Sequence, residues 1–237
     1  MNEQRGSEGL ELLATLSHEL RNPLNAILGW ATVLTRRGDL PEPVTQGLQA
    51  IERNSRLQAR MIADVLDYAA VSAGQGRLVM ETIDPYPVVR AALEGIAAAA
   101  RDAGVTLEAS FDAESLRIAA DAARLQQIIG NLLSNAVKFS ERGKAVRLAA
   151  GRSGDSFRLV VSDQGKGIDP ALLPGIFEPF GRPGAAAPRS HGGLGLGMAT
   201  AKQLAELHSG TVRAESAGKG LGATFTLELP LCGAAMI

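Results

Sequence analysis

The sequence predicts a protein in two parts: an N-terminal helical hairpin that forms a dimeric four-helix bundle, then a two-layer α/β sandwich with a mixed sheet. Three observations carry that expectation. A heptad-like apolar stripe over about residues 10–37 and a second periodic run over 44–69 open the chain, short alternating strand and helix patterns fill the rest, and "SAGQG" (Ser72 to Gly76) divides the two textures. The expected boundaries are residues 1–73 for the first domain, 74–79 for a linker and 80–237 for the second domain.

In the first part, Leu13, Leu20, Ile27 and Leu34 recur at heptad spacing, with Leu16, Leu24 and Ala31 between them. "RRGDLPEP" then interrupts the helix with Gly38, Pro41 and Pro43. A second periodic run follows through Val44, Leu48, Ile51, Ile62, Val65 and Ala69. The apolar stripe of this hairpin is wider than one partner helix covers. Two hairpins from two copies close a bundle, so a homodimer is expected.

In the second part, "RLVMETI" reads as a strand. Asp84 and Pro85 open a helix as N-cap and first-turn proline, and Gly104 ends it. "VTLEASF" and "LRIAAD" read as strands, and Ala122 to Lys138 as a helix. "AVRLAAGR" and "SFRLVVSD" form a hairpin across "SGD". Gly165 to Gly197 lacks a periodic pattern, which inside a compact domain marks a functional loop. Met198 to His208 reads as a helix, and "TVRAES" and "ATFTLELP" are the last strands.

Composition excludes several classes. With 46% hydrophobic and 21% charged residues the chain is an ordinary globular protein. A net charge of -1 gives no electrostatic reason to expect nucleic acid as a partner. A single cysteine, Cys232, rules out both an intramolecular disulfide and a cysteine metal cluster. No apolar run approaches the roughly 20 residues of a membrane span, so this chain is not expected to insert in a membrane. The opening "MNEQRGSEG" does not read as a signal peptide. A cytoplasmic location is expected, for a whole protein or a piece of a larger one.

Three features gather around the irregular segment. "DQGKGID" (Asp163 to Asp169) leaves a strand end, "GGLGLG" places Gly193, Gly195 and Gly197 directly before a helix, and "NLLSNAVKF" puts Asn131, Asn135 and Lys138 on one helix face. Glycines before a helix let main-chain N–H groups approach phosphate oxygens, and the helix N-terminus favours the anion. A strand-end aspartate can accept a hydrogen bond from the exocyclic amine of adenine, which guanine lacks at that position. An asparagine oxygen suits Mg²⁺ that keeps waters and phosphates as its other ligands, and a lysine suits phosphate. Each feature alone also fits a plainer reading, as a turn, a surface amide pair or a loop. Their order and spacing favour a nucleotide site. No Walker pattern is present, which argues against a P-loop protein.

"SHELRNPL", "NLLSNAVKF", "DQGKGI", "FEPF" and "GGLGLG", in that order, closely resemble the boxes of bacterial sensor histidine kinases, over about Leu10 to Pro230. The resemblance implies a dimerisation and phosphoacceptor domain followed by an ATP-binding domain. It implies His18 as phosphoacceptor, Glu19 as its acid/base neighbour and Asn22 as a residue that orients water for regulator dephosphorylation. It implies Asn135 as the Mg²⁺ ligand, with Asn131 and Lys138 beside metal and triphosphate. Asp163 would read the adenine amine, Gly165 and Gly167 would shape the pocket, and Thr224 would lie beside it. Phe177 and Phe180 would anchor a lid over ATP that ends at Gly193, Gly195 and Gly197. The implied activity is autophosphorylation with ATP and Mg²⁺, then transfer to an aspartate of a response regulator receiver domain. The location would be the cytosol, in the cytosolic part of a larger sensor. A catalytically weak ATP-binding signalling scaffold is the alternative. Lys166, Gly181 and the lid "GRPGAAAPRSH", with few charges, depart from the family pattern and bear on lid dynamics and phosphate contacts.

Three further expectations follow. His18 falls about 140° around the helix from Leu13, off the apolar stripe, where a separate domain can reach it. Pro23 lacks the N–H that would bond the carbonyl of Glu19, so the turn carrying His18 should be deformable. Asn131 stands where related ATPases carry a glutamate that activates water, and an amide cannot take that proton. Of the other two histidines, His191 lies in the lid and His208 at a helix C-terminus, where it meets the dipole.

Overall fold

A computed structural model describes residues 22–37, 39–72, 78–112, 115–180 and 194–232. His18, Glu19, His191 and Gly193 lie outside the described residues, as do Leu13, Leu16 and Leu20. The chain divides into two compact units, one holding the helical hairpin and the other holding the sheet and its helices.

In the hairpin, α1 is helical over 22–35 and α2 is Glu42–Ser72, 31 residues long. The carbonyl of Pro41 accepts from the N–H groups of Val44 and Thr45 at 2.9 and 3.1 Å, which starts α2. Pro43 falls in the first turn, where no N–H is needed. Thr32 on α1 donates to Glu52 on α2 at 3.3 Å. Leu24 and Ala31 are buried, whereas Ile27 and Trp30 are 49% and 69% exposed. One hairpin therefore covers only part of the apolar stripe.

In the second unit, α3 (Pro85–Ala103) begins and ends where expected. Asp84 caps it by accepting the N–H of Tyr86 at 2.9 Å, and Gly104 closes it at φ +69°. Strands β1 (Glu81–Ile83) and β3 (Ile118–Ala120) make a small antiparallel pair. Both are shorter than their apolar runs suggest. β3 stops at Asp121, which caps α4, and the N–H of Val79 bonds the Asp121 carboxylate at 3.0 Å instead of continuing the ladder.

The main sheet has the order β2-β4-β5-β7-β6, from β2 (Thr106–Phe111), β4 (Ala145–Ser153), β5 (Ser156–Ser162), β6 (Thr211–Glu215) and β7 (Thr224–Pro230). β2 runs parallel to β4 and every other pairing is antiparallel, so the sheet is mixed. Alternate residues of the three central strands are buried: Val146, Leu148 and Ala150, Phe157, Leu159 and Val161, Phe225, Leu227 and Leu229. The ladder register sets them opposite one another. Helices α4 (Ala122–Phe139) and α5 (Gly197–Leu207) pack on this sheet together with α3. Leu125, Ile128, Ile129, Leu132 and Leu133 of α4 are fully buried, completing a two-layer sandwich. Truncating a central side chain such as Phe157 to alanine costs about 3–5 kcal/mol.

Candidate nucleotide site

The site begins with α4. Its amphipathic pattern turns the leucine and isoleucine face into the sheet and leaves Asn131, Asn135 and Lys138 along the half-buried edge. Asp121 fixes the helix start by accepting from Ala123 and Arg124 at 3.0 and 3.1 Å. Lys138 Nζ sits 5.0 Å from the Phe139 ring centroid at the other end. Gly197 opens α5, and a Cβ there would lie 3.4 Å from Asn131 Oδ1. The first turn of α5 therefore passes close against the first amide of the α4 face.

Asp163 follows β5 directly and is 8% exposed. Its Oδ1 accepts from the N–H of Gly165 at 2.9 Å and from Ala223 at 3.2 Å, while its own N–H bonds the Ala223 carbonyl at 2.9 Å. Oδ2 has no hydrogen bond among the described residues. Burial pushes the carboxyl above the ordinary carboxylate range, and the Gly165 and Ala223 N–H groups only partly oppose this. Next to it in the ladder, Ser162 and Thr224 pair across β5 and β7, with their hydroxyls 3.2 Å apart. One aspartate oxygen is thus anchored and the other remains able to accept a donor.

The glycines of "DQGKGI" each have a packing reason. A Cβ on Gly165 would run into the Phe139 carbonyl, and one on Gly167 (φ +61°) into the Gly218 carbonyl. The loop 163–169 is therefore wedged between the end of α4 and the loop 216–223. The 3₁₀ turn Leu173–Gly175 follows it. Phe177 is half-buried, whereas Phe180 is 60% exposed at φ +57°. Gly195 adopts φ +76°.

Asn22, at the start of the described part of α1, is exposed, as is Pro23. The structure thus gathers Asn131, Asn135, Lys138, Asp163, Gly165, Gly167, Gly197 and Thr224 in one unit; Asn22 belongs to the other.

Three residues of this unit went unrecognised in the sequence, and a fourth, His208, was only partly legible. Ala223 supplies the second N–H to Asp163. Gly222 (φ +72°) faces the Asp163 carbonyl so closely that no Cβ fits. Ser216 bridges the two loops with its hydroxyl. His208, read as a dipole contact, is 1% exposed and bonds across to Asp121. The run "GKGLGATF" offered the available signal, because three glycines before a strand mark main chain at positive φ, here Gly218, Gly220 and Gly222.

Two family models match the chain. The His Kinase A (phospho-acceptor) domain matches residues 10–74, and the Histidine kinase-, DNA gyrase B-, and HSP90-like ATPase matches residues 120–233. With that pair of domains the chain belongs to the sensor histidine kinases and forms a catalytic core of that family. It is 34% identical over 227 residues to Histidine protein kinase DivJ of Caulobacter vibrioides, across 95% of this chain and 38% of that protein. It is 32% identical over 233 residues to Sensor histidine kinase RcsC of Escherichia coli, across 98% of this chain and 24% of that protein. Among solved structures, full-length ShkA in complex with AMPPNP superposes with a TM-score of 0.76 at 32% identity, over 95% of this chain and 46% of that one. The chain therefore spans less than half the length of each of these relatives. No described helix is long and apolar enough to cross a membrane.

Proposed function

We propose that this chain is an ATP-dependent protein-histidine kinase that autophosphorylates His18 and passes the phosphoryl group to an aspartate of a response regulator. The observation that carries the reading is the Asp163 carboxylate, buried at a strand end with Oδ1 anchored by two N–H groups and Oδ2 left as an acceptor. That arrangement suits the adenine amine and penalises guanine, whose carbonyl would meet the carboxylate oxygen. Thr224 stands beside the base, and Gly165 and Gly167 let the main chain close around it.

The α4 edge receives the triphosphate. Among the described residues no three histidine, cysteine or carboxylate side chains gather to cage a cation. The chemistry of the donors here fits Mg²⁺ held by the Asn135 amide oxygen, phosphate oxygens and water. When bound, that ion neutralises charge on the phosphates and steadies the leaving oxygen. Lys138 adds a fixed positive charge, and Gly197 frees the first-turn N–H groups of α5 for phosphate. Gly193, Gly195, Phe177 and Phe180 belong to the lid in this reading. Asn131 cannot accept a proton from water, so the nucleotide is held without rapid hydrolysis.

In the transfer step Nε2 of His18 attacks the terminal phosphorus in line as the bond to the bridging oxygen breaks, and ADP departs with that electron pair. Glu19 holds the proton on Nδ1, which leaves the Nε2 lone pair free to attack. Catalysis then rests on positioning and charge neutralisation. Asn22, one helical turn beyond His18, orients a water for dephosphorylating the regulator.

A homodimer is part of the reading, with residues 1–73 as its dimerisation and phosphotransfer domain, 74–79 as linker and 80–237 as the ATP-binding domain. It is supported by the groove of Ala26, Ile27, Trp30, Leu34, Leu48 and Ile51, an apolar surface left open on a single hairpin. The test is incubation with Mg²⁺ and γ-labelled ATP. Acid-labile, base-stable label is expected on the wild type and absent from His18→Gln and Asn135→Ala. Label that persists in His18→Gln contradicts the proposal.

A further inference from the structure

Two loops form the wall around Asp163, and the Ser216 hydroxyl bonds the main chain of both. Ser216 Oγ accepts the N–H of Ile168, in the loop 163–169, at 2.9 Å. It donates to the carbonyl of Gly222, in the loop 216–223, at 2.6 Å. It also accepts the N–H of Gly218 at 3.3 Å. One donor and two acceptor positions exhaust what a hydroxyl can offer. Two main-chain bonds, Gly220 N–H to the Lys166 carbonyl at 2.7 Å and Gly222 N–H to the Gly165 carbonyl at 3.2 Å, run between the same loops. Lys219 and Asp169 pair across the rim at 3.2 Å, but their exposure makes that contribution small.

The position of this clasp matters for Asp163. Its Oδ1 takes one N–H from each loop, Gly165 from the first and Ala223 from the second. The carboxylate plane is therefore set by the distance between the loops. Gly222, which Ser216 grips, immediately precedes Ala223. If the loops part, the Ala223 bond to Oδ1, at 3.2 Å the longer of the two, weakens, and the direction of Oδ2 is less firmly fixed.

We propose that Ser216 is a positioning residue for nucleotide recognition, whose hydroxyl holds the two loops at the spacing that aims Asp163 at the exocyclic amine of adenine. The inference rests on the reading of Asp163 as the base-contacting residue. A purely structural serine would affect stability alone. A positioning serine affects the choice between bases, because only that choice depends on where Oδ2 points.

The test measures binding of ADP and GDP, each with Mg²⁺, to the full chain by titration calorimetry. Ser216→Ala is expected to weaken ADP about tenfold while leaving GDP nearly unchanged, so that the preference for adenine narrows by about the same factor. Ser216→Thr, which keeps the hydroxyl, is expected to restore the preference. Should the alanine variant fail to fold, Ser216→Cys, with its weaker donor, is expected to show an ADP-to-GDP preference below that of the wild type. A Ser216→Ala or Ser216→Cys protein with a lower melting temperature and an unaltered ADP-to-GDP ratio overturns the proposal. Asp163→Asn is run alongside. If it keeps the wild-type ratio, the assignment of Asp163 to the base fails; if it loses the ratio while the Ser216 variants keep it, only the clasp fails.

Discussion

The ring of His208 accepts the main-chain N–H of Asp121 on Nε2 at 3.1 Å, although the two residues lie 87 positions apart. Its Nδ1 lies 2.7 Å from the Leu204 carbonyl, and with Nε2 accepting, Nδ1 must carry the proton and donate. The ring therefore joins the end of α5 to the residue that caps α4, so the two helices that approach each other at Gly197 and Asn131 are also tied where α5 ends and α4 begins. The histidine does meet the helix end, as its position suggests, and it does so as a buried bridge.

Replacing His208 with alanine leaves the part-buried N–H of Asp121 without its partner and a hole between the helices. The expected loss is about 1–3 kcal/mol from the orphaned group alone. Urea unfolding of the wild type and His208→Ala checks it; equal midpoints would show that water takes over both bonds.

Glycine substitutions should separate packing from flexibility. Gly165→Ala would force a methyl into the Phe139 carbonyl, whereas Gly95 in α3 has nothing within 4 Å of an added Cβ. Gly165→Ala is expected to reduce ADP binding by about tenfold or more, since loop 163–169 must move. Gly95→Ala is expected to leave binding alone and to add about 0.5–1 kcal/mol of stability through helix propensity. Parallel binding and unfolding measurements test both.

Asp163 predicts an unusual pH dependence. Its carboxyl is raised by burial, so the native state holds the proton more tightly than the unfolded chain does. Stability from this group is complete below the ordinary carboxylate value of about 3.9 and declines as pH rises through the folded value. Nucleotide-free Asp163→Asn is therefore expected to melt higher than wild type at neutral pH, with the gap closing on acidification. It should also lose ADP. A gap that widens in acid would show that the carboxylate stabilises the empty fold.

Asn131→Glu should change the fate of the nucleotide. A carboxylate there can take a proton from water, so release of inorganic phosphate is expected to rise several-fold while labelling of His18 falls. A colorimetric phosphate assay beside the labelling reaction measures both. Unchanged phosphate release would show that the water position, not the base, is missing.

Much of this molecule is legible in the sequence where residue type and local spacing coincide. Asp84, Pro85 and Gly104 mark α3 because capping is a matter of adjacent residues. Asn131, Asn135 and Lys138 share an edge because a helix repeats every 3.6 residues. Asp163 stands out because it ends an apolar strand. What stays hidden depends on distant partners. Ser216 reaches Ile168 across 48 positions and Ala223 reaches Asp163 across 60, so no local pattern announces either. The length of β1 is equally obscure, since its partner strand ends at the Asp121 cap and not where the apolar run ends. The apolar stripe of α1 reads as one surface, yet within one hairpin Leu24 and Ala31 are covered while Ile27 and Trp30 are not.

In the proposed reaction the terminal phosphoryl of ATP comes to rest on Nε2 of His18. Phosphorus and nitrogen NMR of the full chain, recorded after reaction with ATP and Mg²⁺, tests it most directly. A phosphorus bonded to that ring nitrogen is expected in the wild type and not in Asn135→Ala. Phosphate found only free in solution, or bound to any other residue, would contradict it.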